Sequence, residues 1–317
     1  MISHWDEVDA VHRGSGHISG HWQALTAETS EWVGVKRIRI DAGKWSTPLH
    51  LEGSEEEIFL VLDGSGVSVQ ADASGEAAYP VGRGDCLVHL ALEHAHTLQA
   101  GPDGLDVLAF GERHYAANTL LPRAGVSWLG PTWVLEGSPD DHPWAREIAT
   151  GPPEIGELAP RPPRIVNIAD LEPKVREGAT VAHAVRDLGR AAGSLKTGMR
   201  LYEVPPGKLV NPPHCHSAEE EIFVVLDGTG TLELWPNPRF GGEHETHDVE
   251  RGSIVARPAG TGRAHTFRAS TDGLTILAFG TRDPRDVTFY PRSGKVNIRG
   301  IGLIGRLEPL DYWDGED

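Results

Sequence analysis

The chain has 317 residues and a mass of 34.3 kDa, about twice the ~150 residues usual for one domain, so two domains are expected. With 39% hydrophobic and 24% charged residues it can fill globular cores and does not read as disordered. Its 29 basic and 46 acidic side chains leave a net charge of −17, which disfavours nucleic acid or an anionic membrane as partner.

The N-terminus, MISHWDEVDA, is acidic and has no apolar stretch, so it does not read as a secretory signal. Apolar runs such as Ile222–Leu226 fall far below the ~18 residues needed to cross a bilayer. Cys86 and Cys215 cannot build a disulfide framework. A cytoplasmic protein is expected.

Glycine (38) and proline (23) are spread along the chain, and short apolar runs between D-G, P-P and G-x-G turns point to β-structure. The chain also repeats itself. GKWSTPLHLEGSEEEIFLVLDGSG, residues 43–66, aligns without a gap on GKLVNPPHCHSAEEEIFVVLDGTG, residues 207–230, at an offset of 164. HTLQAGPDGLDVLAFGER, residues 96–113, aligns on HTFRASTDGLTILAFGTR, residues 265–282, at an offset of 169. A whole domain of roughly 130 residues is therefore duplicated. Seven prolines between Ser138 and Arg164 mark a semi-rigid connector, with room for one short helix at Pro143–Ala149. The division is placed near residue 155, giving domains 1–155 and 156–317.

Strand alternation puts His214 and His216 on one face and Cys215 on the other. Glu221 opens the next apolar strand, which is expected to end at an Asp227-Gly228 turn. Two imidazoles and a carboxylate so placed suit a divalent transition metal, and His265 is the natural fourth ligand. The spacing resembles the motifs of the cupin superfamily. The first motif is matched at His214, His216, Glu221 and Gly228, with Gly207 one residue early. The second is matched at Gly252, Pro258, Gly260 and His265, with two extra residues before the histidine and Ala269 in place of the usual asparagine. With its duplicate, the chain looks like a bicupin. The resemblance implies an all-β fold of two tandem antiparallel jelly-roll β-barrels, each with a metal site inside.

The N-terminal copy departs from the pattern. His50, Glu57 and His96 stay in register with His214, Glu221 and His265, but Glu52 stands where the other copy has His216, and Leu90 replaces the motif proline. If Glu52 binds, two carboxylates neutralise a divalent ion there, whereas the C-terminal site keeps a positive charge and is the better Lewis acid. The C-terminal site is expected to be the reactive one, the first being secondary, differently metallated or empty. Iron, manganese, zinc, nickel and copper all remain open, with up to two ions per chain.

Arg200 and Tyr202 share a face of the strand before the first motif, and His94 and Arg263 precede the fourth ligands, so all four are candidates to orient a substrate. Glu221 is assigned as ligand and transient base. In the run Glu55-Glu56-Glu57 the first two glutamates read as solvated. Cys86 and Cys215 read as buried inert thiols, and Trp45 and Trp235 as possible cavity walls. Gly300–Gly305 matches G-x-G-x-x-G but lacks the βαβ context of a dinucleotide site. The apolar Ile298–Leu307 stretch reads as a strand packing on another domain or subunit, and the acidic end as a solvated tail.

The expected function is a metal-dependent enzyme acting on a small oxygenated metabolite, with a dioxygenase-type oxidoreductase first. A cupin-type isomerase, epimerase or decarboxylase is the alternative, and a non-catalytic metal- or metabolite-binding cupin the competing class. A monomer with an internal pseudo-dimer or a homo-oligomer fits the duplication.

Overall fold

The computed structural model describes residues 2–27, 29–114, 116–129, 132–134, 143–236, 241–308 and 310–316. Each half carries a large sheet and a small one, and all pairings between the described strands are antiparallel. In the N-terminal half the large sheet runs Asp85–His89, Glu57–Asp72, Ala95–Glu112, Val33–Ile40, Ile18–Ala24, Val11–Ser15, with Gly75–Gly82 beside Glu57–Asp72. Its small sheet holds Leu51–Glu52, Asn118–Leu121, Val126–Leu129 and Thr132–Val134. The C-terminal half repeats the plan, with Ser253–Arg257, Glu221–Trp235, Ala264–Thr281 and Thr197–Val204 in the large sheet and Cys215–His216, Val287–Tyr290, Lys295–Ile298 and Leu303–Arg306 in the small one. The fold is all-β, two tandem jelly rolls. The short helix Pro143–Ala149 is present, and among the described residues no helix is long and apolar enough to cross a membrane.

The central strands of both large sheets are buried on both faces, which explains their continuous apolar runs. Phe59 and Val61 point into the N-terminal half with Ile38 and Ala109. Their neighbours Ile58 and Leu60 point the other way, into a core shared with Ile222, Val224, Met199 and Phe279 of the C-terminal half. The rings of Phe110 and Phe279, equivalent in the repeat, meet there with centroids 4.9 Å apart. The same alternation puts Met199 and Leu201 in the shared core and sends Arg200 and Tyr202 inward.

The halves also exchange strands. Ile2–His4 pairs with Ser253–Arg257, and Ile165–Asn167 pairs with Asp85–His89. Each large sheet thus takes its edge strand from the segment that leads into the other half.

The middle glutamates are not solvated. Glu56 and Glu220 are each 1% exposed and reach across to the opposite half. Glu56 accepts hydrogen bonds from the backbone N–H of Leu195 (2.9 Å), Lys196 (3.3 Å) and Thr197 (2.9 Å) and from Ser194 Oγ (2.8 Å). Glu220 accepts from Glu31 (3.1 Å), Trp32 (2.7 Å) and Val33 (3.2 Å), the residues equivalent to 195–197. Burial pushes the Glu56 carboxyl up, but the donors from Thr197, Leu195, Ser194 and Lys196 hold it below its ordinary value. Glu219 is buried as well, against Arg299 and the Asp283 N–H. Burial opposes these charges, and the several donors that each carboxylate finds offset that cost.

The expected turn at Asp227-Gly228 is instead a bulge inside the unbroken Glu221–Trp235 strand, where the register shifts. Gly228 has φ +78°, and a Cβ there would sit 2.2 Å from Gly273 O. Only glycine fits such a close crossing.

Candidate metal centre

The Pro212-Pro213 bend and the short Cys215–His216 strand bring His214 and His216 opposite the start of Glu221–Trp235, while His265 lies beside His214 through an isolated bridge. Nitrogen and oxygen donors of His214, Glu221 and His265 all lie within 4.8 Å of one another. His216 joins them, its Nε2 3.4 Å from Glu221 Oε2, while His265 Nε2 lies 3.1 Å from the same oxygen. Glu221 Oε2, His216 Nε2 and His265 Nε2 are buried and make no hydrogen bond. Three converging orphaned donor atoms are the signature of a cation site, so this quartet fits a divalent metal.

The outward nitrogens are fixed. His214 Nδ1 donates to Pro212 O (2.9 Å), and His216 Nδ1 donates to Asp286 Oδ2 (2.8 Å). Asp286 is fully buried and is held by the Ala218 N–H and Thr288 Oγ1. This carboxylate–histidine pair orients the ring as ligand-supporting residues do. Sequence reading missed it. The signal was available, because the position aligned with Asp286 is Ala117, in the copy that also lacks the second histidine.

Without a metal, burial lowers His265 to about 3 and lowers His214. Burial also acts on His216, but Glu221 and Asp286 outweigh it and raise that imidazole to about 10. For Glu221, burial pushes up and the facing His216 charge pulls down harder, leaving it well below the usual carboxylate range. A metal would have to displace the His216 proton to bind.

A cavity of about 480 Å³ opens above the quartet. Arg200 and Tyr202 both line it, with Arg190, Arg282 and Arg299, so four arginines face two glutamates. Arg200 Nε lies 3.3 Å from Asp187. Tyr290 also lines the cavity and stacks on His214, with centroids 5.7 Å apart and planes at 25°. Arg263 instead turns to Glu245. Trp235 packs edge-on against His244 rather than lining the cavity, and Cys215 is buried away from the donors, its thiol pushed up by burial.

The N-terminal set converges less completely. Donors of His50, Glu57 and His96 lie within 4.8 Å of one another, and Glu52 stands outside that group. His96 Nε2 hydrogen-bonds Glu57 Oε2 at 3.0 Å, and His50 Nε2 is 3.7 Å from Glu52 Oε1. Thr119 donates to Glu52 (2.9 Å). Burial and the Glu57 charge raise Glu52 to about 7. Three residues of this set fit a metal, with His96 and Glu57 as close to each other as His265 and Glu221 are in the other half. His94 does not face the cavity. It hydrogen-bonds His89 (2.9 Å), which stacks behind His96 at 3.7 Å. Trp45 is buried in the core, 3% exposed.

Residues 200–279 match the family model described as a cupin domain. No curated protein matches the sequence significantly. Among solved structures, oxalate decarboxylase from Bacillus subtilis at pH 4.6 is similar with a TM-score of 0.60 at 17% identity, covering 88% of this chain and 75% of that one. Oxalate decarboxylase from Lactobacillus farciminis in a formate complex gives 0.61 at 15% identity, covering 92% and 88%. A further structure of the Bacillus subtilis enzyme, concerned with its Mn(II) centres, gives 0.60 at 16%, covering 90% and 78%. Residues 200–279 thus form a cupin domain, and the chain as a whole has the bicupin fold, two tandem jelly rolls.

Proposed function

We propose that this bicupin is a metal-dependent enzyme whose C-terminal centre acts on a small carboxylate, most simply as a decarboxylase. The observation that carries the reading is the set of orphaned donors on Glu221, His216 and His265 beneath a cavity rich in arginine. His214, His216, Glu221 and His265 would hold the ion, for which manganese is the first choice because the similar Bacillus subtilis enzyme has Mn(II) centres. A bound divalent ion supplies Lewis acidity toward an anionic oxygen.

The protein's own groups do the rest. Arg200 and its neighbouring arginines draw an anion into the cavity and set its orientation. Tyr202 and Tyr290 line the cavity and limit its space to a small molecule. Asp286 keeps His216 in the tautomer that points Nε2 inward. This revises the first expectation of a dioxygenase acting on a chelating enol or phenol: an arginine-rich cavity suits a small carboxylate.

The test is a substrate screen on protein reconstituted with manganese, reading carbon dioxide release and oxygen uptake together. Carbon dioxide from oxalate or another short carboxylate without stoichiometric oxygen loss supports the proposal. Stoichiometric oxygen uptake with a chelating enol or phenol would restore the dioxygenase. Inactivity of the metal-loaded protein on both substrate classes would favour a binding cupin.

A further inference from the structure

The cavity of the N-terminal half plays no part in the proposed reaction, and its chemistry differs from that of its twin. It encloses about 710 Å³, within the range that receives a small organic ligand. Trp22, Trp128 and Trp144 line it together with Phe59, Ile38 and Leu98. At one end lie His50, Glu52 and Glu57, so an apolar chamber ends in a few convergent polar groups.

Three of these walls are substitutions within the repeat. Ile38 stands where the other half has Tyr202, Leu121 where it has Tyr290, and Trp128 where it has Asn297. Trp144 comes from the helix Pro143–Ala149, which is pinned by Arg123 to Glu147 (3.3 Å) and to Gly151 O (2.9 Å). Ile148 of that helix packs against Gly16, so closely that a Cβ on the glycine would lie 2.8 Å from it.

We propose that this cavity is a second ligand site, for an uncharged aromatic alcohol whose ring lies among the tryptophans and whose hydroxyl points to Glu52 and Glu57. Aromatic walls reward a flat ring through stacked and edge contacts. The charges select against an anion, because Glu7, Asp9 and Glu57 line the cavity against only Arg13 and Lys36, and Glu52, raised to about 7, adds a partial negative charge. An anion would lose its hydration beside carboxylates. A hydroxyl can donate to one of them. The inference is independent of the reaction assigned to the C-terminal centre.

The test is calorimetric titration of the full chain near neutral pH with two probes of one shape, 2-naphthol and 2-naphthoate. The expected result is 2-naphthol binding about tenfold or more tighter than 2-naphthoate, with one site per chain. Trp22→Ala, which removes a wall, and Ala109→Leu, which fills the chamber, each weaken 2-naphthol about tenfold while the protein melts cooperatively. Equal or tighter binding of 2-naphthoate, no 2-naphthol binding up to about 1 mM, or unchanged affinity in both folded variants would overturn the proposal. The probe comparison on the unaltered chain decides the matter even where a variant does not fold.

Discussion

In the C-terminal half Arg200, Tyr202, Tyr290 and Asn297 line the cavity, and at the matching positions of the N-terminal half stand Lys36, Ile38, Leu121 and Trp128. The scaffolds are superimposable in plan, down to the paired phenylalanines and the crossing glutamates, yet one chamber is polar and cationic and the other apolar and aromatic. The change extends to the support of the ligands. Thr288 braces Asp286, which braces His216, whereas its equivalent Thr119 hydrogen-bonds Glu52 directly. A carboxylate needs no acceptor behind it, so when the second histidine becomes Glu52 the buried aspartate is replaced by Ala117. Duplication preserved the core and released the cavities to diverge.

The sharpest way to break this comparison is to remove one ligand from each half. His265→Ala is expected to lose about one equivalent of bound metal and to lower activity at least about a hundredfold. His96→Ala should leave most of the activity. Elemental analysis beside a rate assay checks both, and equal losses would end the assignment of one reactive centre. Next comes the pair of crossing glutamates, where the halves should behave alike. Glu56→Ala leaves several buried donors unpaired and should cost roughly 2 kcal/mol of unfolding free energy, with Glu220→Ala slightly less because it serves fewer donors. Urea denaturation reads the difference.

Asp286→Asn is expected to weaken metal binding about tenfold by loosening the His216 ring, without changing stoichiometry at saturating metal. Competition with a chromophoric chelator measures it. Smallest is Arg200→Gln, which should raise KM for a carboxylate severalfold while kcat moves little, because a uniform attraction to the anion is lost. A fall in kcat alone would place Arg200 in the chemistry instead.

Much of the fold was legible because the repeat fixed the strand plan and the alternation in Glu-Ile-Phe-Val-Val-Leu showed a strand. The same run hid something, since a strand buried on both faces looks identical whether its second partner is a helix, a subunit or the other half. Glu56 read as solvated for that reason: its donors lie about 140 residues away along the chain. The quartet His214, His216, Glu221 and His265 was readable from spacing and sheet geometry. The cavity walls were not, because Tyr202, Tyr290 and Arg299 come from separate strands and loops whose inward faces emerge only after folding.

The strand exchange has a consequence for how the chain is made. Residues 2–4 leave the ribosome about 250 residues before the sheet edge they complete, Ser253–Arg257. Residues 2–4 therefore wait without their partner while about 250 residues are made, whereas the N-terminal sheet receives its own edge as soon as Ile165–Asn167 emerges. An extension fused ahead of residue 2 should thus disturb the distant C-terminal half more than the half it is attached to.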